Sequence, residues 1–377
     1  MSDASALRKF LAHDPRNISL NCDYLDAALS EGRIDEAKAW LREAPVDVRE
    51  NAKIRMREAR IALITGDLDR SISILRSVLD TGQTDDVTVR HDLAYAQSCQ
   101  GDDAAALETL ASAGSEQASD VALAILKARI LYRQKQYASA LEALAPFVTG
   151  ERMAEVHGLR AMLMLDTGRP DEAASEARKA LANVPEQQDA LLVTGTLALS
   201  ARQTESAMDA FRRILAVRPQ SARALLGLGE SLMVTGDIAA ARERIERAAA
   251  EMPDHIGTWH ALAWCQLMEG DAAGAKHSFE RAFAIDRTFG ETHGGFALIH
   301  ALRGERSEAE ESIKRAKRLA PEGQTARYAQ SVLLLDDGHP EEARRIVDGI
   351  VAHTPGNMPV MSADFIFRLR DMLRPRG

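Results

Sequence analysis

Ten turn positions recur along this chain at nearly constant spacing: Gly32, Gly66, Gly101, Lys135, Gly168, Arg202, Gly236, Gly270, Gly304 and Gly338 follow one another at 33 to 35 residues. A period of that length marks a stacked array in which each unit is too small to bury its apolar face alone, so neighbouring units must cover it. Binding chemistry is therefore expected on an extended surface rather than in one pocket.

Other positions keep step with the turns. Five residues after them stand Ala37, Ser71, Ala106, Ala140, Ala173, Ala207, Ala241, Ala275, Ala309 and Ala343, all small, as a close helix crossing requires. Nine after the turn the residue is always apolar, for example Leu75, Phe211, Ile245, Phe279 and Ile313. Seven before it the residue is again small, from Ala59 and Ala94 to Gly195, Gly229 and Ala297, with Leu25 and Ser331 as terminal exceptions. Seventeen after it, Pro185, Pro219, Pro253, Pro321 and Pro355 stop the second helix of a unit.

The clearest copy reads Trp259, Leu262, Ala263, Gly270, Ala275, Phe279, Ala282. This pattern resembles the tetratricopeptide repeat, a helix–turn–helix unit. The resemblance implies an all-α fold, a right-handed superhelical solenoid of antiparallel helix pairs, and it covers residues 18–357 as ten units. It is strongest from Leu191 onward; in the first five units the Trp position holds Asn21, Arg55, Arg90, Ala124 and His157. Lys135 and Arg202 stand where the other turns have glycine, and so must accept positive φ at a cost on the order of 1 kcal/mol.

Unbroken phase argues for one continuous solenoid, the most irregular stretch being residues 113–120. Residues 1–17 read as an N-terminal capping helix with Leu7, Phe10 and Leu11 on its apolar stripe. Residues 358–377 read as a C-terminal capping helix. From 362 to 374 it places Phe365, Ile366, Leu369, Met372 and Leu373 on one face, with Phe367 outside it. A cap is favoured there over a docking or membrane-surface helix.

Catalytic signatures are not found: there is no phosphate-binding glycine loop, no nucleophile elbow and no paired-cysteine metal spacing. Gly227, Gly229, Gly294 and Gly295 fall mid-helix in the repeat register and read as helix contacts. Cys22, Cys99 and Cys265 lie in different repeats and read as reduced core or groove residues. His260, His293 and His300 share neighbouring first helices, but packing is favoured over a metal site. The expectation is a non-enzymatic chain with no cofactor and no metal. The first twenty residues hold no continuous apolar stretch, so a cytoplasmic setting is expected. A net charge of −9 argues against a nucleic-acid partner.

The resemblance further implies that first helices line a concave groove, with residues 13, 10, 6 and 3 positions before each turn pointing inward. Those offsets select Lys53, Met56, Arg60 and Leu63, then Thr88, His91, Tyr95 and Ser98, then Ala122, Ile125, Arg129 and Tyr132. With the neighbouring Arg57 and Arg133, they predict a cationic, aromatic patch made of Lys53, Arg57, Arg60, Tyr95, Arg129, Tyr132 and Arg133. Further on, His260, Trp264 and Leu267 form a more apolar part, with Trp264 as anchor. The favoured function is an interaction scaffold or adaptor that takes an extended or helical peptide, with acidic segments favoured at the basic part. Asp26, Arg60 and Tyr95 stand where a carboxylate clamp needs asparagines, so that mode is not expected. The alternatives are an accessory subunit of a membrane-associated secretion, envelope or polysaccharide assembly, and a ligand- or peptide-sensing regulator. Oligomeric state is left open.

Overall fold

The computed structural model describes residues 3–82, 86–113, 120–353 and 362–374. Pro355 and most of the irregular stretch at 113–120 lie outside them. Among the described residues there are 23 α-helices and no strand. Twenty form ten antiparallel pairs in the expected order; the others are Ala4–Leu11, Val46–Arg49 and Ala363–Leu373. The chain divides into two compact units, residues 1–163 and 164–377.

Two adjacent residues make each pair. The turn position has positive φ, which ends the first helix in a left-handed conformation that glycine adopts without cost. Lys135 and Arg202 take φ 60° in the same place. An aspartate follows several of these glycines and caps the second helix: Asp67, Asp102, Asp237 and Asp271 accept from the N–H groups of Arg70, Ala105, Ala240 and Gly274.

Packing within a pair follows the small and large positions. Buried Ser71 donates its hydroxyl to the carbonyl of Ala59 at 2.9 Å, a direct mark of the close crossing. In the second unit the knob nine after the turn fills a hole made by absent side chains. A Cβ on Gly195 would come within 2.7 Å of the Phe211 ring, and one on Gly227, in the next repeat, within 2.4 Å of the same ring. Gly229 faces Ile245 and Gly295 faces Phe279 in the same way, at 2.5 Å. These mid-helix glycines are contacts between helices, as their register predicts. The carbonyls of Pro185, Pro219 and Pro253 accept from Arg213, Arg247 and the Trp259 indole of the following repeats at 2.7, 2.9 and 2.8 Å.

In the first unit the Ala4–Leu11 helix packs on Ile18–Ser30, burying Ala4 and Leu11 beside Tyr24 and Leu25. Phe10 differs from its expected place on that stripe and stands 62% exposed, because the packed face runs from Ala4 to Leu11, two turns apart.

In the second unit the tenth pair departs from the regular stacking. Thr325–Asp336 packs chiefly on Gly290–Arg303, the first helix before it, and much less on Arg306–Leu319, the second. Gly294 permits this approach: a Cβ there would lie 2.8 Å from the Ala326 nitrogen. Glu291 secures it, its carboxylate accepting from the backbone of Gln324 and Thr325 at 2.8 and 3.1 Å and from the Thr325 hydroxyl. A carboxylate at that helix start also meets the positive end of the helix dipole.

Candidate functional site

The first helices Ala52–Ile64, Asp86–Gln100 and Val121–Arg133 carry the predicted patch of the first unit. Lys53, Arg60, Tyr95, Arg129 and Arg133 are exposed there, and Arg57 and Tyr132 are half-buried. The fold thus leaves these side chains accessible. It also places carboxylates among them: Arg57 reaches Asp26 at 2.5 Å, Arg60 stands 3.7 Å from Asp92, and Arg133 donates to Asp103 and Ser98. The patch is consequently a set of cross-repeat ion pairs rather than bare positive charge, and its attraction for an anion is reduced accordingly.

Aromatic rings complete the surface. His91 and Tyr95, one helical turn apart, stack with centroids 6.4 Å apart and planes within 4°. His91 Nδ1 lies 3.1 Å from Asp92 Oδ1, which links the stack to Arg60 through one carboxylate. Tyr132 rests against Tyr137 at 5.9 Å. Tyr95 is 46% exposed, so a large ring remains open beside Arg60.

The predicted apolar part lies in the second unit and is differently placed. Trp264 is 4% exposed and Leu267 fully buried. Trp264 meets Tyr328 edge to face, and both belong to the main core cluster of this unit. His260 sits between Phe279 and Phe289, at 5.2 and 5.4 Å, with Nε2 2.8 Å from the Thr292 hydroxyl. Burial holds its pKa down to about 4. The open apolar part expected here is therefore not found: Trp264 is covered by Tyr328 of the tenth pair, and His260 by Phe279, Phe289 and Thr292. His293 instead reaches the Arg287 carbonyl and His300 the Glu305 carboxylate. Among the described residues no three His, Cys, Asp or Glu side chains stand close enough to hold a metal ion.

Trp259 packs as the family position implies, half-buried beneath the Arg281 guanidinium at 5.0 Å. Cys22 and Cys265 are buried, and Cys99 is exposed. Burial pushes the Cys265 thiol up to about 12, which makes it unreactive. Glu230, at an inward position of the seventh repeat, is pushed up to about 8 by burial.

One feature lay beyond the offset rule. The short helix Val46–Arg49 helps enclose a crevice of about 540 Å³ between the first and second repeats, walled by Lys38, Arg42, Arg49 and Arg55 and by Glu50 and Glu58. It opens beside second helices, which the inward positions never sample.

Models of the tetratricopeptide repeat match residues 159–221, 198–265 and 324–348. No curated protein matches the sequence. Among solved structures, a monomeric mutant of IFIT1 with Gppp-AAAA is 14% identical, with a TM-score of 0.56 over 95% of this chain and 91% of that one. The human IFIT1 dimer with m7Gppp-AAAA is 15% identical, with a TM-score of 0.52 over 89% and 90%. A tetratricopeptide repeat protein from Parabacteroides merdae is 22% identical, with a TM-score of 0.44 over 66% and 98%. At identities this low the two IFIT1 matches speak for the fold alone. Among the described residues no helix is long and apolar enough to cross a membrane. The period, the positive-φ turns, the paired helices and three family matches together make this chain a tetratricopeptide-repeat protein of about ten repeats.

Proposed function

We propose that the chain is a non-enzymatic interaction scaffold whose first unit receives an extended or helical peptide across the face built from Lys53, Arg57, Arg60, Tyr95, Arg129, Tyr132 and Arg133. The carrying observation is the partly exposed His91–Tyr95 stack, on a helix that Arg60 and Arg133 of the two neighbouring first helices approach at Asp92 and Ser98. Tyrosine beside arginine is the composition that concentrates binding energy in protein interfaces. The carboxylates Asp26, Asp92 and Asp103 refine the partner's chemistry. A peptide with acidic side chains exchanges for existing ion pairs, whereas a bare phosphate chain meets a surface whose positive charge is already partly compensated at Arg57, Arg60 and Arg133.

Two solved structures of this fold, both of IFIT1, hold Gppp-AAAA and m7Gppp-AAAA. The net charge of −9 and the internal pairing of Arg57, Arg60 and Arg133 favour a protein partner here. The membrane-assembly reading is weaker, because Ile366 and Leu369 of the C-terminal helix are spent on the repeats rather than free for a bilayer.

Capture of partners from the native host by the tagged chain, followed by mass spectrometry, tests the proposal. The double variant Arg60→Glu with Arg129→Glu, and separately Tyr95→Ala, should each lose the partner by more than tenfold with unchanged melting. Arg76→Glu, exposed on a second helix, should keep it. Loss with Arg76→Glu and retention with the other variants would place binding on the opposite face.

A further inference from the structure

The C-terminal helix Ala363–Leu373 does not stack simply as an eleventh first helix on the tenth pair. It runs back over Thr325–Asp336 and Gly290–Arg303 toward the turn of the eighth repeat. At its start Asp364 accepts from Arg344 at 2.7 Å, and the same guanidinium covers Phe367 at 5.8 Å. Ala363, Ile366 and Leu369 are buried in the cluster that contains Trp264, Leu298, Tyr328 and Val332. Past them, Arg370 reaches Asp336 at 3.4 Å, and Arg374 donates to Asp336 and, at 3.2 Å, to the carbonyl of Ala301. The Met372 methyl lies 2.7 Å from where a Cβ of Gly270 would stand, so that turn glycine leaves room for it.

The surface beneath has the features of a receptor for this helix. Asp336 ends the Thr325–Asp336 helix, where a carboxylate meets the negative end of the dipole and gains from incoming cations. Its side chain is only 17% exposed, held between two arginines. On the seventh repeat Arg223 is exposed and Leu226 half-buried. The outer side of the helix is left to solvent at Asp364, Arg368 and Asp371. Sequence joins it to the repeats only through residues 354–361.

We propose that the turn-end face of the last three first helices is a helix-binding surface, that the chain's own C-terminal helix is its resident ligand, and that an amphipathic partner helix of the same pattern displaces it. That pattern is two apolar residues three apart, Ile366 and Leu369 here, with arginines four and eight after the first, Arg370 and Arg374. The resident helix acts from a short tether, so it competes at high effective concentration and sets the threshold a partner must exceed. This site is separate from the face of the first unit and does not rest on it.

A fluorescein-labelled peptide of residues 362–374, titrated by anisotropy, tests the proposal on full-length protein. Ile366→Asp with Leu369→Asp releases the resident helix, and this variant should bind the peptide at least tenfold more tightly than the parent. Adding Asp336→Arg should remove the gain, as should Arg370→Glu with Arg374→Glu in the peptide. Equal binding by parent and released variant overturns the proposal. Should that variant fail to fold, hydrogen exchange on the unmodified chain decides. The proposal requires amides of residues 365–373 to open while those of residues 256–336 stay protected, and exchange of both segments in a single step overturns it.

Discussion

Trp264 and Tyr328, inward residues of the eighth and tenth repeats, meet edge to face with centroids 5.6 Å apart and planes at 66°. The contact converts a would-be ligand anchor into core. Trp264→Ala should therefore lower unfolding stability by about 3–5 kcal/mol, the usual cost of emptying a large aromatic site. Tyr328→Ala should be comparably costly, and the double variant should fall short of the sum by about 0.5–1.5 kcal/mol. Urea denaturation of the four chains measures this; a parent-like midpoint for Trp264→Ala would mean that the ring faces solvent.

The glycine-for-ring exchange in the second unit makes a second prediction. Gly227→Ala places a Cβ within 2.4 Å of Phe211 and should destabilise by about 1–3 kcal/mol through overpacking. Combining it with Phe211→Leu should cost less than the two single changes added together, because the smaller side chain yields the space. Additive thermal shifts would show that the two positions do not touch.

At the turns, Lys135 and Arg202 each hold φ 60°. Lys135→Gly and Arg202→Gly relieve left-handed strain but add freedom to the unfolded chain, so a net gain of up to about 1 kcal/mol is expected for each. The same replacement at Gln134 or Ala201, the preceding positions with negative φ, should instead destabilise. Thermal melting of the four variants distinguishes strain relief from a general effect of glycine.

Two buried titratable groups give the second unit opposing pH arms. His260 is held down to about 4 from 6.5, so its stabilising contribution is complete above 6.5 and is lost as pH falls through 4. Glu230 is raised to about 8 from 4.5, so its contribution is complete below 4.5 and is lost as pH rises through 8. Glu230→Gln should gain stability over the parent at pH 8.5 but not at pH 4.5, by about 1–3 kcal/mol given the side chain's remaining solvent contact. His260→Gln should flatten the acid arm alone. Urea midpoints across pH 4 to 9 test both signs.

The sequence by itself determined the helix pairs, the conformation of every turn, the crossing at Ser71 and the seating of Phe211 and Phe279 against glycine, because those follow from a period and from side-chain size at fixed register. The same register marked Arg60, Tyr95 and Trp264 as groove positions, of which the first two are exposed and the third is buried. Only the tertiary structure decided what they meet. Arg57, Arg60 and Arg133 find carboxylates on neighbouring helices, and Trp264 is buried against Tyr328 of the tilted tenth pair. The C-terminal helix, whose apolar stripe favoured a cap over a dock or a membrane-surface helix, lies across first helices and is fastened at Asp336. The physical reason is one of range. Register within a helix is set by local backbone geometry, whereas the tilt between successive pairs is the sum of many contacts, among them the missing Cβ of Gly294 and the carboxylate of Glu291 at the next helix start.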